Sequence, residues 1–131
     1  MPSSKRKFGD IGENSAVEFL KRKGYGILDR NYLLKCGEID IVAAKMGGFL
    51  NQKINSIVFV EVKTASDNFS LAFAAQNVHS KKKRRLIKSA QVYLMDKKIP
   101  KNIPWQIDVV LISLDDRNKL VRIEHLENAV W

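Results

Sequence analysis

Two stretches decide the fold: Gly37-Glu38-Ile39-Asp40-Ile41-Val42 and Val58-Phe59-Val60-Glu61-Val62-Lys63. Both are dense in Ile and Val, which predicts strands over 38–44 and 57–64. Side chains alternate across a strand, so Glu38 and Asp40 are expected on one face, with Ile39 and Ile41 opposite. By the same rule Glu61 and Lys63 share a face, with Val60 and Val62 opposite. The intervening residues 46–56 are rich in Gly and Asn and predict a turn, so the two strands should pair as a hairpin. Charges within such apolar runs are costly to bury unless they are paired or hold an ion.

Working outward, residues 11–23 read as a helix ended by Gly24, and 27–34 as a strand. Residues 80–96 give the clearest helix, with Leu86, Ile87, Ala90, Tyr93 and Leu94 at helical spacing. Pro100 and Pro104 punctuate the segment after this helix, and strands are expected at 107–114 and 120–125 around an Asp-Asp-Arg-Asn turn. The stretch 66–80 is ambiguous between irregular and short helical structure. Residues 1–9 are expected to form a mobile basic arm, and 10–131 one domain. The order helix, three strands, helix, two strands predicts an α/β fold: a mixed five-stranded central β-sheet flanked by helices.

The chain has 131 residues, enough to bury a core without disulfides or a structural metal. Lys and Arg number 23 against 14 Asp and Glu, a net charge of +9. That excess favours a polyanionic partner, nucleic acid above all. The single cysteine, Cys36, excludes an internal disulfide and suits a reducing cytoplasm. No base stands near it in sequence to make it a nucleophile. The polar, basic start of the chain argues against a secretory signal, and no stretch reaches the length of a membrane span.

If the hairpin forms, Asp40 lies near Glu61 and Lys63. Two carboxylates and a backbone carbonyl suit a hard cation with oxygen ligands, Mg²⁺ or Mn²⁺. Lys63 would then orient an attacking water or stabilise charge on a phosphate oxygen. The plainer alternative is a cross-strand surface ion pair. Glu38 is a further metal-ligand candidate. Glu13 falls among Ala16, Val17 and Leu20, on the apolar face of its helix; it either answers the helix dipole or aims inward at the site.

Ser80 is a candidate N-cap for the second helix, and Lys82 heads its apolar face. The run Lys81-Lys82-Lys83-Arg84-Arg85 sits at the helix end where cations oppose the dipole, which favours phosphate contact over a merely solvated face. Asp108 interrupts an apolar strand and is expected to pair with Lys82 or Lys63, or to lie at the strand's edge. His79 and His125 stand alone in the sequence and read as surface or packing residues, while Trp105 and Trp131 read as packing residues rather than base-stacking platforms.

Several motifs in order carry a resemblance to a known family: Gly12-Glu13, Gly24-Tyr25, Arg30-Asn31, Gly37-Glu38-Ile39-Asp40, Val58 to Thr64, Lys82 with Ala90 and Tyr93-Leu94, Asp108-Val109-Val110, and Asn128-Ala129. The chain resembles the YraN-like bacterial proteins, assigned to the PD-(D/E)XK nuclease superfamily with likeness to Holliday junction resolvases. The resemblance implies a restriction endonuclease-like core and a DNA-cutting activity. It makes Asp40 and Glu61 metal-binding acids, Lys63 the catalytic lysine and Glu13 the helix carboxylate of resolvase-like members. Branched or otherwise structured DNA is the implied substrate, and a junction-cutting role would favour a symmetric homodimer. Family members often carry Arg where this chain has Ala65, and Glu where it has Gln76. Those departures keep two rivals open: a silent DNA-binding module, and an interaction domain in DNA repair or uptake.

Overall fold

The computed structural model of the chain describes residues 3–66 and 80–129. The expectations for 67–79, including His79 and Gln76, and for Trp131 lie outside the described residues, as do the side chains of Lys81 and of Ser80, the candidate N-cap. Helix α1 spans Ser4–Arg22, strands β1, β2 and β3 span Tyr25–Leu34, Gly37–Gly47 and Lys53–Ser66, helix α2 spans Ser80–Asp96, and strands β4 and β5 span Trp105–Leu114 and Leu120–Leu126.

The five strands form one open sheet in the order β1-β2-β3-β4-β5. Its first three strands pair antiparallel, β3 pairs parallel with β4, and β5 closes antiparallel on β4. A parallel pair needs a crossover connection, and α2 lies within the one between β3 and β4. This is a mixed α/β fold consistent with a restriction endonuclease-like core. No described helix is long and apolar enough to cross a membrane.

Each helix buries one face of the sheet. On one side Ala16, Val17 and Leu20 of α1 pack with Ile41, Val58, Val60, Val110 and Ile112. On the other, Ala90 and Tyr93 of α2 pack with Ile39, Val42, Phe59, Ile107 and Val109. The central strands are therefore covered on both faces, which explains their nearly unbroken Ile-Val composition. Trp105 packs at the rim of the second cluster, edge-on to Phe59.

Three expectations need correction. Residues 4–9 are helical, so the basic segment is no free arm beyond Ser3. The Ser3 side chain caps α1 by accepting from the Arg6 amide at 3.2 Å, and Phe8 and Ile11 pack against the core. The turn between β2 and β3 is also shorter than expected, a single 3₁₀ turn at Phe49–Asn51.

The strand that carries Asp40 also departs from simple alternation. Ile39 packs on the α2 side but Ile41 on the α1 side, so they do not share a face as alternation predicted. Ladder pairing of β1 with β2 skips from Arg30↔Ile41 to Tyr32↔Ile39, and the bypassed Asn31 has a left-handed backbone, φ 50. The register between β2 and β3 begins only at Ile41↔Val60. Asp40 thus sits at a local irregularity, where β2 parts from β3.

Candidate active site

The parting of β2 from β3 places Asp40. Its side chain turns toward β3, and Oδ2 accepts a hydrogen bond from the Val62 amide at 2.9 Å. The carboxylate stands in for the main-chain acceptor that β2 no longer offers there. From this position Asp40 comes close enough to Glu61, one residue before Val62, to feel its charge. Burial, and then the negative charge of Glu61, push the Asp40 carboxyl up to about 7.

Glu61 is the hub of the cluster, with only 11% of its side chain exposed. Its Oε1 accepts from Lys82 Nζ at 2.8 Å and lies 3.8 Å from Lys63 Nζ. The two lysines are not equivalent. Burial, together with the neighbouring Lys82, pushes the Lys63 ammonium down. Burial also works against the charge on Lys82, but Glu61, Lys63 and Asp40 together outweigh it and raise its pKa. Lys82 therefore holds the positive charge more firmly, while Lys63 is the more ready to give up a proton.

Glu13 comes from α1 on the other side of the sheet. It shares a cleft of about 220 Å³ with Asp40, lined also by Lys5, Phe8, Gly9, Val62, Lys63 and Thr64. The helix starts at Ser4, so Glu13 lies well past the first turn, and the dipole explanation for it does not hold. Burial raises its pKa despite the opposing charge of Arg30. Its Oε1 is buried without a hydrogen-bond partner among the described residues, and the nearest cation, Arg30, stands at 3.8 Å. Arg30 itself is held by Asn14 Oδ1 at 2.7 Å. Gly12 brings α1 this close, because a side chain there would run into Thr64 of β3.

The expected residues are thus only partly gathered. Asp40, Glu61 and Lys63 meet, and Glu13 approaches from the opposite face. Glu38 is exposed, and the Arg85 side chain passes over neighbouring Gly37. Of the basic run, Lys82 turns inward to Glu61, Lys83 is half-buried, and Arg84 and Arg85 are exposed. The inward course of Lys82 was legible, since it heads the apolar face of α2. Arg30 and Asn14 were missed as site neighbours, and only the pairing of α1 with β1 brings them there.

Asp108 needs correction too. It is fully buried and pairs with neither Lys63 nor Lys82. It accepts from His125 Nε2 at 2.7 Å, Gln106 Nε2 at 2.8 Å and the Asn128 amide at 2.8 Å. Nor does His125 stand alone. Lys23 Nζ lies 2.8 Å from its Nδ1, so Nδ1 accepts and Nε2 carries the proton given to Asp108. Ligand atoms of Asp108, His125 and Glu127 lie within 4.8 Å of one another. Asp108 and His125 Nδ1 accept these hydrogen bonds, and Glu127 Oε1 accepts from Tyr25 at 3.3 Å and lies 3.7 Å from Lys45 Nζ. The group clamps the C-terminal segment onto β4. A larger apolar cleft of about 290 Å³ beside Leu94 and Trp105 has no acid in its lining.

The class is therefore a small α/β domain whose mixed sheet carries a carboxylate–lysine cluster where two strands part. Residues 12–112 match the family described as uncharacterised protein family UPF0102. The chain is 39% identical over 130 residues to a UPF0102 protein of Roseiflexus castenholzii, covering 99% of this chain and 98% of that one. It is 38% identical over 126 residues to a UPF0102 protein of Caldicellulosiruptor saccharolyticus, covering 96% and 98% respectively. A relative from Alkaliphilus oremlandii is 40% identical over 124 residues, covering 95% and 97%. The chain belongs to the UPF0102 family.

Proposed function

We propose that this protein is a divalent-cation-dependent endonuclease that hydrolyses DNA phosphodiester bonds. One observation carries the reading: Asp40 leaves the ladder at the parting of β2 and β3 and meets Glu61, which in turn holds Lys63. The likeness to PD-(D/E)XK nucleases rests on these same residues, and the mixed sheet agrees with it.

The donor set fits Mg²⁺ or Mn²⁺. Asp40 and Glu61 offer adjacent carboxylate oxygens, and Glu13 Oε1 is buried with no hydrogen-bond partner among the described residues. Asp40 and Glu61 would hold the ion, with Glu13 or the exposed Glu38 supporting a second ion or a water. When bound, the cation draws charge from the phosphate oxygens and makes the attacking water more acidic. Lys63, held beside Glu61, would orient that water or stabilise charge on a phosphate oxygen. Lys83, Arg84 and Arg85 at the start of α2 receive the phosphates. The net charge of +9 supports a DNA partner, and the resemblance favours branched or otherwise structured DNA.

The test incubates the protein with linear, nicked and four-way DNA in Mg²⁺, Mn²⁺ or chelator. Metal-dependent cutting that is lost in Asp40→Ala and Lys63→Ala, with DNA binding retained, supports the enzyme. Binding without cutting in any metal supports a silent DNA-binding module instead. Equal cutting by wild type and both variants marks a contaminant and overturns the assignment.

A further inference from the structure

We infer that Lys82 is a built-in counter-ion of the acid cluster, which a divalent cation must displace from Glu61 and which DNA phosphate draws away. The inference rests on the metal-site reading proposed for Asp40 and Glu61 and adds a linkage between metal and DNA.

Lys82 Nζ sits 2.8 Å from Glu61 Oε1, the same oxygen that Lys63 approaches at 3.8 Å. A hard cation binds a carboxylate oxygen at about 2.0–2.6 Å and brings two positive charges with it. An ammonium already on that oxygen competes for the same lone pairs and repels the incoming ion. Lys63 is too far from the oxygen to compete as strongly. Lys82 is therefore the principal occupant to be moved.

The side chain has somewhere to go. It is 29% exposed, so a path outward is open. Its flexible stem rises from the first turn of α2, beside Lys83, Arg84 and Arg85. A phosphate bound at that turn offers the displaced ammonium a new partner. Each ligand thereby removes an obstacle to the other. Cation binding at Glu61 frees Lys82 for phosphate, and phosphate binding frees Glu61 for the cation. Such coupling is reciprocal by thermodynamic necessity.

The experiment titrates Mn²⁺ into the full chain by calorimetry, with and without a short phosphorothioate duplex that resists cutting. Lys82→Met is expected to bind Mn²⁺ about tenfold more tightly than wild type without DNA. Lys82→Arg, which keeps the charge, is expected to stay close to wild type. Lys119→Met, which removes an exposed charge remote from the cluster, should also leave the affinity unchanged. The duplex should tighten Mn²⁺ binding to wild type but have little further effect on Lys82→Met. Asp40→Asn, made in both backgrounds, reports whether the bound ion is at this site. Asp40-dependent binding that is equal or weaker in Lys82→Met overturns the counter-ion role and leaves the metal site standing. Binding that ignores Asp40→Asn in both backgrounds overturns the metal-site reading itself.

Discussion

Asp40 Oδ2 takes the hydrogen bond of the Val62 amide at 2.9 Å, so a side chain on β2 completes the hydrogen bonding of β3. This contact fixes the acid between the two faces of the sheet. There it is within reach of Glu61 and shares a cleft with Glu13. A carboxylate buried among other acids is destabilising, which is the usual condition of a site built to receive a cation.

The first prediction follows from that cost. Asp40 is raised from 3.8 to about 7 in the folded protein. Between those values the folded chain holds a proton that the unfolded chain has lost, so stability falls as pH rises, and the whole penalty is present above about 7. Asp40→Asn keeps an acceptor for Val62 and removes the charge. In chelator at about pH 8 it should stabilise the protein by about 1–3 kcal/mol, with little gain near pH 4. Urea unfolding across pH measures this.

Asp108 behaves in the opposite sense. Burial raises its pKa, but the hydrogen bonds from His125, Asn128 and Gln106 outweigh burial and hold it below the ordinary value. Its stabilising contribution is therefore complete above the unfolded pKa and is lost as pH falls through the lowered folded one. Asp108→Ala should cost about 2–4 kcal/mol at neutral pH, because His125 and the Asn128 amide lose their buried acceptor. The gap from wild type should narrow in acid, as thermal unfolding at several pH values will register.

Gly12 sets the distance between α1 and β3. A methyl group there collides with the Thr64 side chain. Gly12→Ala should destabilise by about 1–3 kcal/mol although alanine favours helix by about 1 kcal/mol. The displaced helix carries Glu13, so Mn²⁺ affinity should fall as well. Thr64→Ala removes two of the colliding atoms and should restore part of both losses, as melting curves and Mn²⁺ titration will show.

The exposed end of α2 is expected to carry DNA affinity. Arg84→Ala and Arg85→Ala should each weaken DNA binding and reduce the slope of log affinity against log salt by about one. Fluorescence anisotropy at several salt concentrations reads both quantities. An unchanged slope in both variants removes this turn from the interface.

Much of the fold was legible in the sequence because it depends on local patterning. The span of α2 follows from Leu86, Ile87, Ala90, Tyr93 and Leu94 at helical spacing, and the central strands from their Ile-Val runs. The approach of Asp40 to Glu61 and Lys63 follows from a hairpin. The early start of α1 was hidden by the basic composition around Phe8, whose packing partners lie on the sheet. The irregularity at Asp40 was hidden because strict alternation assumes an unbroken ladder, and the left-handed Asn31 on β1 marks the break. The Asp108–His125 pair needs the antiparallel register of β4 with β5, in which Val110 faces His125. Residue spacing along the chain does not reveal such a contact.

A crystal of the protein soaked in Mn²⁺, with anomalous scattering locating the ion, shows directly whether Asp40 and Glu61 hold a cation. A peak is expected between the carboxylates of Asp40 and Glu61, with Lys82 withdrawn from Glu61. A peak at Asp108, His125 and Glu127 instead, or none near Asp40 at saturating Mn²⁺, would contradict that assignment.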